Sequence, residues 1–249
     1  VPVFGEDGTL RTEKGYDASS KTYLNPSIQF IEVPEIIDEK HVNTAKALFL
    51  EATRDFPFSD SFTGRDDKPV RLRTPDGGYA DCDDDGHPWP NFERGMASRA
   101  NFYAMVLQPF ARSMIAGPCP AYLIDKSMPG TGAGFLADVA GMILSGARMV
   151  PQTIPGDGDE FRKEMASVLR EGATTVFFDN MTTKIDSGAL ASALTAGVWK
   201  SRILGQSATV SIPIKATWIF AANNGRFSDE LMRRIEDINA KPAIDITPT

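Results

Sequence analysis

Apolar positions recur at helical spacing in several stretches of the chain. In DEKHVNTAKALFLEATRD, residues 38–55, they fall at Val42, Ala45, Leu48, Phe49 and Ala52, and Asp38 stands where an N-cap belongs. In NFERGMASRANFYAMVLQPFARSMI, residues 91–115, Phe92, Met96, Ala100, Tyr103 and Leu107 share one predicted face. GFLADVAGMILSGA (134–147), FRKEMASVLREG (161–172), SGALASALTAGVW (187–199) and the short DELMRRI (229–235) complete the predicted helices. Gly172 is expected as a helix C-cap. Between them lie short apolar runs that predict strands: PCPAYLID ending at Asp125, TTVFFDN ending at Asp179 and Asn180, ATVSI, and KATWIFAAN ending at Asn223. Strands alternating with helices predict an α/β fold of three αβα layers on a mostly parallel sheet. Residues 1–40 hold turn-like clusters that predict short strands and turns, and residues 56–90, dense in Asp, Gly and Pro, predict a long loop or a small hairpin. The expected organisation is a 1–90 appendage and a 91–249 domain.

Composition narrows the picture. Hydrophobic residues make up 42% of the chain, enough for a sizeable core and too many for a disordered protein. No apolar run spans a bilayer, and Val1–Val3 gives way at once to glycine and charge, which predicts no secretory signal. Cys82 and Cys119 have no metal-ligand spacing and read as reduced structural residues in a cytoplasmic setting. Asp81, Asp83, Asp84 and Asp85 beside Cys82 and His87 match no calcium or zinc spacing and read as a solvated loop. The net charge of −7 argues against a protein that coats nucleic acid with its whole surface, while leaving room for a local basic stripe. With only His41 and His87 available, both upstream of residue 91, no Ser/His/Asp or Cys/His site is expected.

The chemistry concentrates around DKSMPGTGAGFL, residues 125–136. A strand, a glycine turn and a helix place backbone N–H groups at a helix N-terminus, a geometry that attracts phosphate without side-chain help. The pattern G-x-x-x-x-G-K-[ST] would have a lysine at Ala133 and a Ser/Thr at Gly134. Glycine also serves such turns for steric reasons alone. Downstream, Asp179 ends an apolar strand where a nucleotide's Mg²⁺ would be held, though a strand-end Asp followed by Asn180 also starts an ordinary turn. Asn223 and Asn224 end a further strand, where an amide can orient water toward a phosphate, and Arg233 and Arg234 follow.

In this order the segments PGTGAGFLAD (129–138), LREGATTVFFDN (169–180), LASALTAGVWKSRILG (190–205), IPIKATWIFAANN (212–224) and DELMRRI resemble the AAA+ class of P-loop ATPases, over Asn91 to Ile238. Within that class the chain looks like the ATPase module of phage and mobile-element replication proteins, near primase-helicases and superfamily 3 helicases. The Trp-x-x-Arg-Ile-Leu-Gly segment from Trp199 to Gly205, and Gly15 to Tyr23, support that neighbourhood. The resemblance implies a phosphate-binding turn over Pro129, Gly130, Thr131, Gly132, Ala133, Gly134 and Phe135, with Asp179 as the Mg²⁺ acid. It implies Asn223 or Asn224 as the sensor, Arg233 or Arg234 as a finger acting on a neighbouring subunit, ATP and Mg²⁺ as ligands, and a ring, most often a hexamer. DNA and other replication proteins are the implied partners, with Lys200, Arg202 and Lys215 as the cations of a channel-facing hairpin; an ordinary surface hairpin is the plain alternative.

The sequence departs from that class at Ala133 and Gly134, and at Asn180, where a Glu would activate water; Asn positions water but takes no proton. Lys126, Lys184 or a neighbour's Arg202 are the candidates to replace the missing charge. Three readings stay open: an ATPase module of DNA replication, a degenerate nucleotide-binding or structural assembly module without ATPase activity, and an αβ enzyme holding another phosphate-bearing ligand.

Overall fold

The computed structural model describes residues 3–18, 22–25, 33–34, 36–53, 56, 58, 71–73, 79–81, 97–126, 132–155, 158–181, 184–202 and 209–240. Two small antiparallel pairs open the chain: β1 (Val3–Phe4) with β2 (Leu10–Arg11), and β3 (Gly15–Asp17) with β4 (Thr22–Leu24). Helix α1 (Glu39–Thr53) follows, and a third pair joins β5 (Arg71–Arg73) to β6 (Tyr79–Asp81). Asp38 caps α1 as expected: its Oδ1 accepts from the His41 amide at 2.9 Å. The carboxylates expected beside Asp81, together with Cys82 and His87, lie outside the described residues.

The remaining elements are α2 (Ala97–Ala111), β7 (Ala121–Lys126), α3 (Ala133–Ser145), β8 (Pro151–Gln152), α4 (Gly158–Arg170), β9 (Thr175–Met181), α5 (Gly188–Thr195), β10 (Val198–Arg202), β11 (Thr209–Pro213), β12 (Thr217–Asn223), α6 (Asp229–Met232) and β13 (Ile235–Ala240). Five strands form one parallel sheet in the order β13-β7-β12-β9-β8. The runs in β7, β9 and β12 are apolar almost throughout because both sheet faces are covered. One cluster holds α2 and α3 against Tyr122, Ile124, Phe177, Ile219, Ala221 and Ile238. The other holds α4, α5, the β10–β11 hairpin and Leu231 of α6 against Leu123, Val176, Phe178, Trp218 and Phe220. Phe56 and Phe58, upstream of residue 91, are buried in the α2–α3 cluster.

Three expectations need correction. The helix expected over 187–199 ends at Thr195, and Val198 and Trp199 belong to β10, where Trp199 pairs with Ile212. Gly197 interrupts the helix, and the β-branched and aromatic side chains after it suit a strand. DELMRRI forms only a four-residue helix, and Ile235 already begins β13 alongside β7. The buried face of α2 is Phe102, Met105 and Val106; Ala100 and Leu107 are exposed, and Tyr103 packs half-buried against Phe49 of α1. That helix is apolar around most of its circumference, so periodicity alone selects no face. Phe92 and Met96 lie outside the described residues.

Candidate site at the carboxyl ends of the sheet strands

Because all five strands run the same way, their carboxyl ends share one edge. β7 hands the chain to α3 on one face, whereas its neighbour β12 hands it toward α6 on the other. The gap between two such strands, at the switch point of the sheet, is the usual crevice for a ligand in a parallel α/β fold.

Alternation decides which side chains enter it. Tyr122 and Ile124 of β7, Ile219 and Ala221 of β12, and Phe177 of β9 all point to the α3 side. Two residues further along their strands, Lys126, Asn223 and Asp179 occupy the same side. Lys126 and Asn223 are in register. Asp179 is one strand beyond Asn223, about 10 Å from the β7 tip at ordinary strand spacing. The β9–β12 register passes from Phe178↔Phe220 to Met181↔Ala222, so Asp179 and Asn180 bulge out opposite Ala221. Asn180 turns with φ 58°, and its amide donates to Asp179 Oδ1 at 2.7 Å. Asn is among the few residues that adopt this left-handed conformation at modest cost.

Helix α3 begins beside these groups. Gly132 precedes it with φ 87°, and no side chain caps its first turn. No acidic side chain in its first turn competes for the amides left free there. Gly134 and Phe135 are exposed, while Ala133 is 1% exposed and packs in the core. Phe56 lies against Gly132, its ring 3.4 Å from where a Cβ would stand. Pro129, Gly130 and Thr131 lie outside the described residues.

The β12 tip is tied to β7 by two bonds. The Asn224 amide donates to the Lys126 carbonyl at 3.0 Å, and the Gly225 amide donates to Asp125 Oδ1 at 2.8 Å. Asn224 carries φ 53° and leaves the strand direction, so Asn223 is the member of the pair in the crevice. Its Oδ1 is buried and accepts no hydrogen bond among the described residues. On β13, Asp237 Oδ1 is likewise buried without a partner there. Burial pushes the Asp237 carboxyl above its ordinary range, and the nearby charges of Asp125 and Glu236 push the same way.

Other predicted residues lie elsewhere. Arg234 sits at the opposite end of the sheet, where its carbonyl accepts from the Ala121 amide at the start of β7. Its guanidinium folds back on α6, onto the Glu230 carbonyl and 3.6 Å from the Glu230 carboxylate. Arg233 is beside it, so neither arginine joins the crevice of its own chain, about 17 Å away along β7. Lys184 is exposed just before Ile185, whose amide and carbonyl bond the chain that follows β12. Lys200 is exposed on β10 opposite Ser211, and Arg202 pairs with Thr209. Lys215 lies past the hairpin, its Nζ 3.4 Å from Ser113 Oγ at the end of α2.

Among the described residues no three His, Cys, Asp or Glu side chains gather to hold a metal. Asp179 alone suits Mg²⁺ that takes its other ligands from water and phosphate. No helix among the described residues is long and apolar enough to cross a membrane. Sequence reasoning missed Asp125, Gly225, Asp237 and Phe56. A Gly directly after Asn223–Asn224 was the one local hint of a tight turn. Compared with known proteins, the chain matches no family model and no curated protein sequence.

Proposed function

We propose that this chain is a nucleotide-binding module of the AAA+ kind, from the phage or prophage DNA-replication setting that its motifs resemble. ATP would be held at a phosphate turn that lacks a lysine. The observation that supports this reading is the grouping of Lys126, Asn223 and Asp179 on one side of three adjacent strand tips, beside the N-terminus of α3. A sensor amide has to stand between the phosphate turn and the metal acid, and β12 is inserted between β7 and β9. In this reading the first amides of α3 receive phosphate oxygens. Asp179 ligates Mg²⁺, which supplies charge neutralisation at the phosphates when bound. Asn223 offers its carboxamide to a water or a phosphate oxygen. Lys126 is the cation nearest the turn. Arg233 and Arg234, at the far end of the sheet, would act only on a neighbouring subunit of a ring. The β10–β11 hairpin, with Lys200 and Arg202 on one strand, would be the DNA-facing element.

A second reading keeps binding and drops hydrolysis. Ala133 is packed into the core where the lysine would start, and Asn180 offers no general base. Calorimetric titration of ATP with and without Mg²⁺, on wild type and Asp179→Ala, tests both. The expected result is Mg²⁺-assisted binding that weakens about tenfold or more in Asp179→Ala. Absence of nucleotide affinity in both proteins would overturn the proposal. Binding with no release of phosphate would select the second reading.

A further inference from the structure

Asn223 ends its strand just before a sharp reversal, and the direction of its side chain depends on how that reversal is held. Asn224 adopts φ 53°, a conformation that persists where the surroundings enforce it. Two cross-strand bonds enforce it here. One joins backbone to backbone, Asn224 N–H to the Lys126 carbonyl. The other uses a side chain, Asp125 Oδ1 accepting from the Gly225 amide across 2.8 Å, a partly buried bond to a carboxylate. The turn leaves no space for a side chain at Gly225, where a Cβ would stand 2.7 Å from the Ala222 Cβ. Asp125 is on the side of the sheet opposite Asn223, because Leu123 before it packs in the α4–α5 cluster. It therefore cannot itself enter the crevice on the α3 side.

We propose that Asp125 is a positioning residue: by holding the Gly225 amide it aims the Asn223 carboxamide at the third phosphate of a bound nucleoside triphosphate. This role rests on the nucleotide-binding reading above. It accounts for a carboxylate spent on a backbone amide next to a carboxamide whose oxygen has no partner among the described residues. It also separates the two asparagines: Asn224 supplies the bend, and Asn223 supplies the contact.

Affinity for a non-hydrolysable ATP analogue, AMP-PNP, and for ADP, each with Mg²⁺, tests the role on wild type, Asn223→Ala, Asp125→Ala, Asp125→Asn and the Asp125→Ala/Asn223→Ala double variant. Wild type is expected to prefer AMP-PNP. Asn223→Ala and Asp125→Ala are each expected to cut that preference about fivefold, with ADP affinity within about twofold of wild type. Asp125→Asn keeps an acceptor oxygen and should recover most of the preference. The double variant should be no worse than Asn223→Ala, because Asp125 works through Asn223. A merely structural Asp125 would instead weaken both nucleotides together. Unchanged preference in Asp125→Ala, equal weakening of both ligands, or additive losses in the double variant overturns the role while leaving the nucleotide reading intact. Wild type that binds neither ligand overturns the reading itself. If circular dichroism shows Asp125→Ala unfolded, Asp125→Ser, too short to reach Gly225, takes its place.

Discussion

At the amino end of the parallel sheet, Gln108 and Arg112 pair with buried polar groups of their neighbours. Gln108 of α2 donates to Thr217 Oγ1 at 3.0 Å and accepts from the Tyr122 hydroxyl at 3.0 Å. Arg112 spends its guanidinium on the carbonyls of Ile115, Gly117 and Ile214. At the carboxyl end the polar groups are arranged differently. Two asparagines turn in left-handed conformations, the Asn223 Oδ1 has no partner among the described residues, and α3 opens without a side-chain cap. A closed network ties α2 to β7 and β12. Polar groups left open beside a crevice are what a ligand can complete. One end of this sheet pairs its polar groups with one another, and the other leaves them open.

The sharpest way to break that contrast is to delete a polar group at each end. Gln108→Leu leaves the Tyr122 hydroxyl and Thr217 Oγ1 buried without their partner. It should cost about 2–4 kcal/mol, a fall in Tm of roughly 10 °C by differential scanning calorimetry. Asn223→Leu removes an acceptor that has no partner among the described residues and should cost about 1 kcal/mol or less. Equal losses at the two ends would remove the distinction.

A smaller effect is expected from Gly225→Ala. Its new methyl would meet the Ala222 Cβ at 2.7 Å and the Leu123 methyl groups at 3.4 Å, so the tip must shift. Overpacking of this kind costs about 1–3 kcal/mol, readable as a lower urea midpoint with unchanged m-value.

The smallest effect concerns Asp237. Burial, Asp125 and Glu236 raise its carboxyl pKa in the folded protein, so the fold favours the protonated form. Its contribution to stability is full below the unfolded value and declines as pH rises through the folded one. Asp237→Asn removes that decline. At pH 7 the variant should melt up to about 2 °C higher than wild type, and below pH 4 the two should coincide. A gain that grows on acidification would contradict the assignment.

Much of the fold was legible locally. The runs in β7, β9 and β12 announce buried strands, Asp38 and Gly172 mark helix ends, and the tip residues Lys126, Asp179 and Asn223 all follow from strand termini. β13 was missed because IEDINA mixes Glu236, Asp237 and Asn239 with isoleucines, and it pairs along one side only. Val198–Trp199 was read into a helix because Ala- and Leu-rich residues run up to it without a proline. The Asp125–Gly225 bond joins residues far apart in sequence, and neither carries a signal pointing to the other.

Alone, the sequence determined the buried runs of β7, β9 and β12, the helix ends at Asp38 and Gly172, and the residues at the strand tips, because these depend on neighbours within a turn or a strand. Tertiary structure decided that β12 lies between β7 and β9, that the inner face of α2 is Phe102–Met105–Val106, and that Asn223 rather than Asn224 enters the crevice. Those choices are settled by contacts between distant segments, where burial of whole faces outweighs the weak preference any short stretch carries.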